Sequence, residues 1–391
     1  MIRLFVNALA ASAGGGLTYV RNIVPHLAAR DDVYTSILLS PKFRQEFTDY
    51  ANLAFVTNDV YGSGPRRLWQ EQLLVPKLIV RSGADVLLSA SNFALRKSPV
   101  PQILLSRNSL YTSQDFYRDL KRRGEYRLWL DTKIKGVLAK KSIHWADRRV
   151  APSKAFAREL ENWTRVPVDA VHHGFDQDLF FSNDPPLPAV IQQKLEATDD
   201  AVRILFVSHY NYYRNFETLL RALPMARERL APRKVKLFLT CRLRSEDNPG
   251  SYGAESAAAL VTDLSIGDEV VELGAIAYGA LHRVYRACHL YVTPAYAESF
   301  AHPLVEAMAC GLPVVASDLA VHREICGDSA LYFERFSEAA LVERLMEIAQ
   351  SPVCGQRLSN SGLQRARYFS WDRHVDEILA IAESLMRADI R

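Results

Sequence analysis

A chain of 391 residues exceeds what one hydrophobic core usually holds, so two domains are expected. Apolar residues make up 49% and charged residues 24%, the balance of an ordinary globular protein, and no apolar run approaches the ~20 residues that cross a bilayer. Charge is uneven: residues 1–190 hold 26 Lys and Arg against 18 Asp and Glu, the remainder 22 against 26, so the first half is the side expected to meet an anionic partner. Met1 leads straight into LFVNALAA, which reads as a first core strand rather than a signal peptide. Next come a loop, ASAGGG, and a stretch with helical apolar spacing, LTYVRNIVPHLAAR. YTSILLS (34–40), DVLLSAS (85–91) and QILLSRN (102–108) are further strands. Strands alternating with helices indicate a parallel, doubly wound sheet.

Residues 118–149 hold eleven basic and four acidic side chains, with Trp129 and Trp145 among apolar residues. The segment reads either as a solvated helix pair or as a basic amphipathic surface resting on anionic lipid. No nucleic-acid motif accompanies the charge, so nucleic acid is not the expected partner. His172 and His173 are consecutive and would point to opposite sides of a strand, which argues against joint metal binding. The cluster in SNDPPLPAVIQQKLEATDD suits an inter-domain linker over 182–200.

Alternation then restarts with strands RILFVSH (203–209), VKLFLTC (235–241), VVELGAI (270–276), HLYVTPA (289–295) and LPVVASD (312–318), separated by helices such as 215–231 and 279–287. A helical tail closes the chain over 371–391. The expected division is therefore 1–181, a linker over 182–200, 201–370 and the tail, with two doubly wound α/β domains facing across a cleft. All five cysteines lie in this half, odd in number and without a C-x-x-C pair. That argues for reduced thiols in a cytosolic protein and against a zinc site.

Residues 295–317, AYAESFAHPLVEAMACGLPVVAS, concentrate the chemistry. Pro303 suits the first turn of a helix and Gly311 its C-terminal cap. Glu298 then lies in the loop after a strand, at the carboxyl edge where open α/β sheets bind ligands, and Glu306 about one turn inside the helix. Backbone amides of Ser299, Phe300, Ala301 and His302 would face an anion or a ring of hydroxyls at the helix start. A continuous helix would hold the two glutamates ~12 Å apart. Hydrolase acid–base pairs sit about 5–9.5 Å apart. Two grips on one long ligand therefore fit better than one catalytic pair.

This stretch resembles the signature of glycosyltransferase family 4, E-x7-E followed by G-x-P-V-x-A, here Glu298-SFAHPLV-Glu306 and then GLPVVA from Gly311. FVSHYNYYRNFETLLRAL (206–223) is similar to the segment in which family members grip the donor diphosphate. The resemblance implies the GT-B fold, with a nucleotide sugar on the C-terminal domain and the acceptor on the N-terminal one. It implies retention of anomeric configuration, no metal or other cofactor, and a C-terminal helix that crosses back. The implied acceptor is a glycan or lipid-linked saccharide in bacterial cell-surface polysaccharide assembly, handled in the cytoplasm or peripherally on the inner face of the membrane. Glu298 would face the donor sugar, Glu306 would bind the ribose hydroxyls, and the 299–302 amides would hold sugar and phosphate oxygens. Arg214 takes the position of the family's diphosphate-binding Lys, and His209 stands where an Arg is usual. A protonated His209 would restore the missing charge, and activity would then fall as pH rises. Gly15 and Gly16 correspond to a glycine loop near the diphosphate. Arg107 and Asn108 stand where the family often carries a histidine close to the donor sugar, and either would reach the reacting sugar or the acceptor. VAPSKAFARELEN (150–162) and VHHGFDQDLF (171–180) are similar to the segments that precede the linker, with Gly174 and Asp176 structural. No convincing nucleophilic carboxylate is present, which points to front-face attack with the leaving phosphate taking the acceptor proton. Two rivals share the same grips, a GT-B sugar-nucleotide epimerase and an inactive nucleotide-sugar-binding protein. A nicotinamide enzyme is disfavoured because GGG lacks the G-x-G-x-x-G spacing.

Overall fold

The computed structural model describes residues 1–9, 15–58, 64–90, 92–181, 187–198, 200–250 and 252–388. These form two compact units, one comprising 1–113, 123–174 and 370–391 and the other 114–122 and 175–369.

The first unit holds β1 (Ile2–Asn7), β2 (Val33–Leu39), β3 (Leu53–Thr57), β4 (Val86–Ser89), β5 (Gln102–Leu105), β6 (Arg148–Ala151) and β7 (Asp169–Ala170). They pair in parallel in the order β3-β2-β1-β4-β5-β6-β7. Successive residues of β1 serve opposite faces. Leu4 and Val6 join a core with helix α1 (Gly15–Ala28), whereas Phe5 packs with Val75 and Ile79 of α2 (Gly64–Ser82). Both faces are covered, which is why the strands read as near-continuous apolar runs.

Helix α3 (Gln114–Arg122) belongs to the second unit, and α4 (Tyr126–Ile143) and α5 (Lys154–Thr164) to the first. The second unit continues with α6 (Gln177–Phe181), α7 (Ala189–Glu196), β8 (Ala201–Phe206), α8 (Phe216–Leu230), β9 (Lys234–Leu239), α9 (Glu255–Asp263), β10 (Val270–Glu272), α10 (Tyr278–Arg286), β11 (Leu290–Thr293), α11 (His302–Ala309), β12 (Val314–Ser317), α12 (Ala320–Cys326), β13 (Ala330–Phe333), α13 (Glu338–Gln350) and α14 (Pro352–Ala366). Its sheet is parallel in the order β10-β9-β8-β11-β12-β13. The last helix, α15 (Trp371–Ala388), returns to the first unit, where Trp371, Val375, Ile378, Leu379 and Ala382 join the core with Val20, Ile23 and Leu27 of α1.

Several boundaries differ from the sequence reading. The chain enters the second unit at Phe175, and the segment expected as a linker over 182–200 is part of that unit. Residues 182–186 and 199 lie outside the described residues. Residues 189–196 form α7, because Ile191 and Leu195 share one helical face and bury it. The strand expected within 171–180 is replaced by a loop and α6. Strands β3, β6, β7 and β13 were not expected, since β6 begins with two arginines and β7 has two residues.

Gly174 marks where the chain passes its own return path. A Cβ there would lie 2.2 Å from Trp371 N and 2.5 Å from Ser370 C, both backbone atoms with little room to yield. Gly174→Ala is therefore expected to cost about 3 kcal/mol, read as a lower urea midpoint. An unchanged midpoint would mean that this backbone moves freely. His173 lies beside this crossing, buried against Tyr19, Trp371 and His374. His374 Nδ1–H donates to His172 O (3.0 Å), and Nε2 is hydrogen-bonded to the Tyr19 hydroxyl (2.9 Å).

Candidate functional site

The strand order of the second sheet reverses between β8 and β11, which pair in parallel with Ile204 opposite Leu290. The loops that leave their carboxyl ends, 207–215 and 294–301, therefore start side by side at a topological switch point. The first carries His209 and Arg214 and the second Glu298.

These loops are fastened to one another. Tyr296 N donates to Tyr213 O at 3.0 Å, and Asn215 Nδ2 donates to Pro294 O at 3.1 Å. Asn215 has a left-handed backbone (φ 56°), which Asn tolerates better than most residues, and its Oδ1 accepts from Thr218 Oγ1 at 3.0 Å. Ser317 Oγ, at the end of β12, donates to Ala295 O. The result is an ion pair between the Arg214 guanidinium and the Glu298 carboxylate, with side chains 19% and 8% exposed. Two residues that the sequence assigned to separate parts of a ligand thus meet directly.

Glu306 sits in the second turn of α11, buried, and accepts a hydrogen bond from the Tyr285 hydroxyl at 3.0 Å. Burial pushes its carboxyl up to about 7, against the opposing effect of that hydrogen bond. His209 is held below the usual imidazole range, first by burial and then by the Arg214 charge. Both effects work against the protonated form that would replace the charge of the family's arginine.

Helix α11 begins at His302, with Pro303 in its first turn and Gly311 (φ +72°) just past its end. Its N-cap is Ala301, in the left-handed region (φ 67°) and without a side-chain acceptor for the first amides. A non-glycine residue in that conformation is uncommon and clusters at ligand sites. The Phe300 side chain is core, its ring 4.9 Å from that of His302 and 5.5 Å from that of Phe369. Ser299 is half-buried in the bend between Glu298 and the helix.

The remaining candidates belong to the first unit. Gly15 and Gly16 open α1 rather than lying in a loop, and residues 10–14 of the glycine segment lie outside the described residues. The Asn108 side chain caps a short 3-10 turn, accepting from Leu110 N at 3.0 Å. The Arg107 guanidinium is buried, stacked 4.9 Å from the Tyr19 ring and donating to Ala90 O at 2.6 Å. Burial lowers it to about 10, which leaves it charged. His209, Arg214, Glu298, Ser299, Phe300, Ala301, His302 and Glu306 share the second unit, whereas Gly15, Gly16 and Asn108 do not. Sequence reasoning missed Asn215 and Tyr285. Of these only Asn215, preceding a helix beside Arg214, carried a local signal. Among the described residues no cluster of three or more His, Cys, Asp or Glu has metal-binding geometry, and all five cysteines are free.

Two Rossmann-like units, the second with polar side chains gathered at its switch point, have the architecture of the GT-B class. The family model for glycosyl transferases group 1 matches residues 189–365, and that for glycosyltransferase family 4 matches residues 13–179. The chain belongs to glycosyltransferase family 4. It is 30% identical over 247 residues to D-inositol 3-phosphate glycosyltransferase 1 of Catenulispora acidiphila, covering 61% of this chain and 57% of that protein. It is 29% identical over 244 residues to the D-inositol 3-phosphate glycosyltransferase of Thermomonospora curvata, covering 60% and 56%. The match thus spans little more than half the length of these relatives. Among solved structures, sucrose-phosphate synthase from Thermosynechococcus elongatus superposes with a TM-score of 0.78 at 19% identity, covering 99% of this chain and 100% of that one. Anabaena Alr3699/HepE, in complex with UDP and glucose, gives 0.71 at 15%, covering 98% and 100%. These two show a shared fold.

Proposed function

We propose that the protein is a retaining glycosyltransferase that moves a hexosyl group from a nucleoside-diphosphate sugar to a glycan or lipid-linked saccharide. The observation that carries this reading is the Arg214–Glu298 pair on the two switch-point loops, with buried Glu306 on the helix that follows the second, in a fold shared with Anabaena Alr3699/HepE, solved in complex with UDP and glucose. Glu306 accepts hydrogen bonds from the ribose hydroxyls. The donor diphosphate draws the Arg214 guanidinium from Glu298, and a guanidinium binds phosphate oxygens bidentately. Released, Glu298 accepts from sugar hydroxyls. The acceptor oxygen then attacks the anomeric carbon on the face from which the phosphate departs. The glycosidic C–O bond to phosphate breaks, and the leaving phosphate oxygen takes the acceptor proton. Catalysis comes from positioning and from charge stabilisation by Arg214 and the amides preceding α11, without assigning the charge to a metal.

A thermal-shift panel of GDP-, UDP-, dTDP- and ADP-sugars, followed by anomeric NMR of the product, tests the reading. Stabilisation by a donor and transfer with retention support it. Isomerised free sugar would indicate an epimerase, and binding without turnover over hours an inactive binding protein.

For the first unit we propose an anionic bilayer surface as partner, through α4 rather than the whole segment 118–149, since residues 118–122 pack in the other unit. Tyr126, Leu130, Ile134 and Val137 are 54% exposed or more, and their spacing of four, four and three places them on one helical face. The opposite face, with Thr132, Gly136, Ala139 and Ile143, is buried. Arg127, Lys133, Lys140 and Lys141 flank the outward stripe. Apolar residues bordered by bases suit an interfacial helix. Among the described residues no helix is long and apolar enough to cross a membrane. The L130E/I134E variant is expected to lose about tenfold or more of its sedimentation with phosphatidylglycerol vesicles. Equal sedimentation of variant and wild type would remove the proposal.

A further inference from the structure

We propose that Asp119 is a positioning residue that clamps, through Tyr296, the loop carrying Glu298. This rests on reading residues 294–301 as part of the donor site. Helix α3 is encoded between β5 and β6 of the first sheet, yet it packs with the second unit. There the Tyr296 hydroxyl donates to Asp119 Oδ2 at 2.8 Å, with both residues buried, and the other carboxylate oxygen meets Arg122 Nη2 at 2.8 Å. Phe116, one turn earlier, is buried with its ring 6.2 Å from that of Tyr213. At the helix start Asp115 accepts from Arg335 Nη1 at 2.7 Å, and Phe336 lays its ring 5.3 Å from that of Tyr296.

The placement gives α3 a hold on both loops of the site. Tyr213 precedes Arg214 and accepts from the Tyr296 amide, and Tyr296 lies two residues before Glu298. A phenol hydroxyl inside a protein requires an acceptor, and an ionised carboxylate is the strong one. The Asp119–Tyr296 bond therefore fixes the side chain of Tyr296, while the amide bond to Tyr213 fixes its backbone. Between them they set where the loop delivers Glu298 relative to Arg214. The carboxylate of Asp119 reaches the site through Tyr296, so its effect passes through this loop.

The test compares wild type, D119A, D119N, Y296F and the D119A/Y296F double variant by two readouts. The first is amide hydrogen exchange over residues 295–301 in the ligand-free protein. D119A and Y296F are each expected to speed exchange there about tenfold. D119N, which keeps an acceptor, should stay near wild type, and the double variant should exchange no faster than Y296F. The second readout is kinetic: kcat falls and donor KM rises in D119A and Y296F, while acceptor KM is unchanged. Y296F removes only the hydroxyl, so the test survives a D119A variant that fails to fold. Unchanged exchange over 295–301 in Y296F, or additive effects in the double variant, would overturn the clamp. A wild-type protein that binds and transfers from no nucleotide sugar would remove the donor-site reading instead, and the exchange data would still decide the clamp.

Discussion

Arg214→Ala is expected to lower kcat by about 100-fold or more at saturating donor, a loss of roughly 3 kcal/mol of transition-state stabilisation. The size follows from how few cations the site offers. Burial and Arg214 itself disfavour the protonated form of His209, so the guanidinium is the one permanent cation on this pair of loops. Its field also reaches the buried His322 and Tyr291, on neighbouring parts of the sheet edge. A structural consequence accompanies the kinetic one. The Glu298 side chain is 8% exposed and paired with Arg214, so the alanine variant leaves a buried carboxylate without its cation. Removing one partner of such a pair typically costs about 3–5 kcal/mol. The R214A/E298Q double variant separates the two effects. It is expected to recover most of the lost thermal midpoint, because no charge is stranded, and none of the lost kcat. Steady-state rates and melting curves on the same three proteins decide this. A near-normal kcat in R214A would falsify its assignment to the diphosphate.

The contrast between Glu306 and Arg214 shows how much of such a site a sequence carries. Glu306 was legible because its position depends on one local element. Pro303 and Gly311 bound a short helix, and seven intervening residues set Glu306 apart from Glu298. The core strands were legible for a similar reason, since two covered faces leave uninterrupted apolar runs in β1, β2, β4, β8 and β12. The Arg214–Glu298 pair was not, because it exists only once β8 and β11 lie side by side, and strand order is written in no single stretch. Asp119 was further out of reach. Its helix reads as an ordinary solvated amphipathic segment, and nothing local says that α3 leaves its own sheet to pack on the other. Asn108 shows a second limit: at a loop position similar to that of a family histidine, its Oδ1 caps Leu110 N, a local use that the sequence reading did not anticipate. Strand β6 hid behind Arg148 and Arg149, whose side chains reach Asp169 and the Ile143 carbonyl at its edges.

Glu306→Gln is expected to stabilise the protein at pH 8 while weakening donor binding. The sign follows from the direction of the shift. Burial raises the folded carboxyl from its ordinary value of 4.5 to about 7. A raised value means that the folded state holds the proton more tightly than the unfolded chain does. That contribution is fully present below the unfolded value near pH 4.5 and is lost as pH rises through about 7. By pH 8 the native protein carries an ionised, desolvated carboxylate, at a cost of roughly 3 kcal/mol relative to acid pH. Glutamine never ionises, and its amide oxygen still accepts from Tyr285. The melting midpoint of E306Q should therefore exceed that of wild type at pH 8 and converge on it near pH 5. Ligand binding should move the opposite way. Ribose hydroxyls donate best to the carboxylate, so wild-type affinity for the nucleoside diphosphate should fall about tenfold per pH unit below 7, whereas the weaker affinity of E306Q should stay flat. Calorimetric titration with a nucleoside diphosphate at pH 6, 7 and 8, beside melting curves at the same pH values, measures both. A glutamate that only packed the helix would change the melting curves and leave the binding profile unmoved. The two opposed pH dependences together would mark a carboxylate kept buried at a cost in stability because a ligand needs its charge.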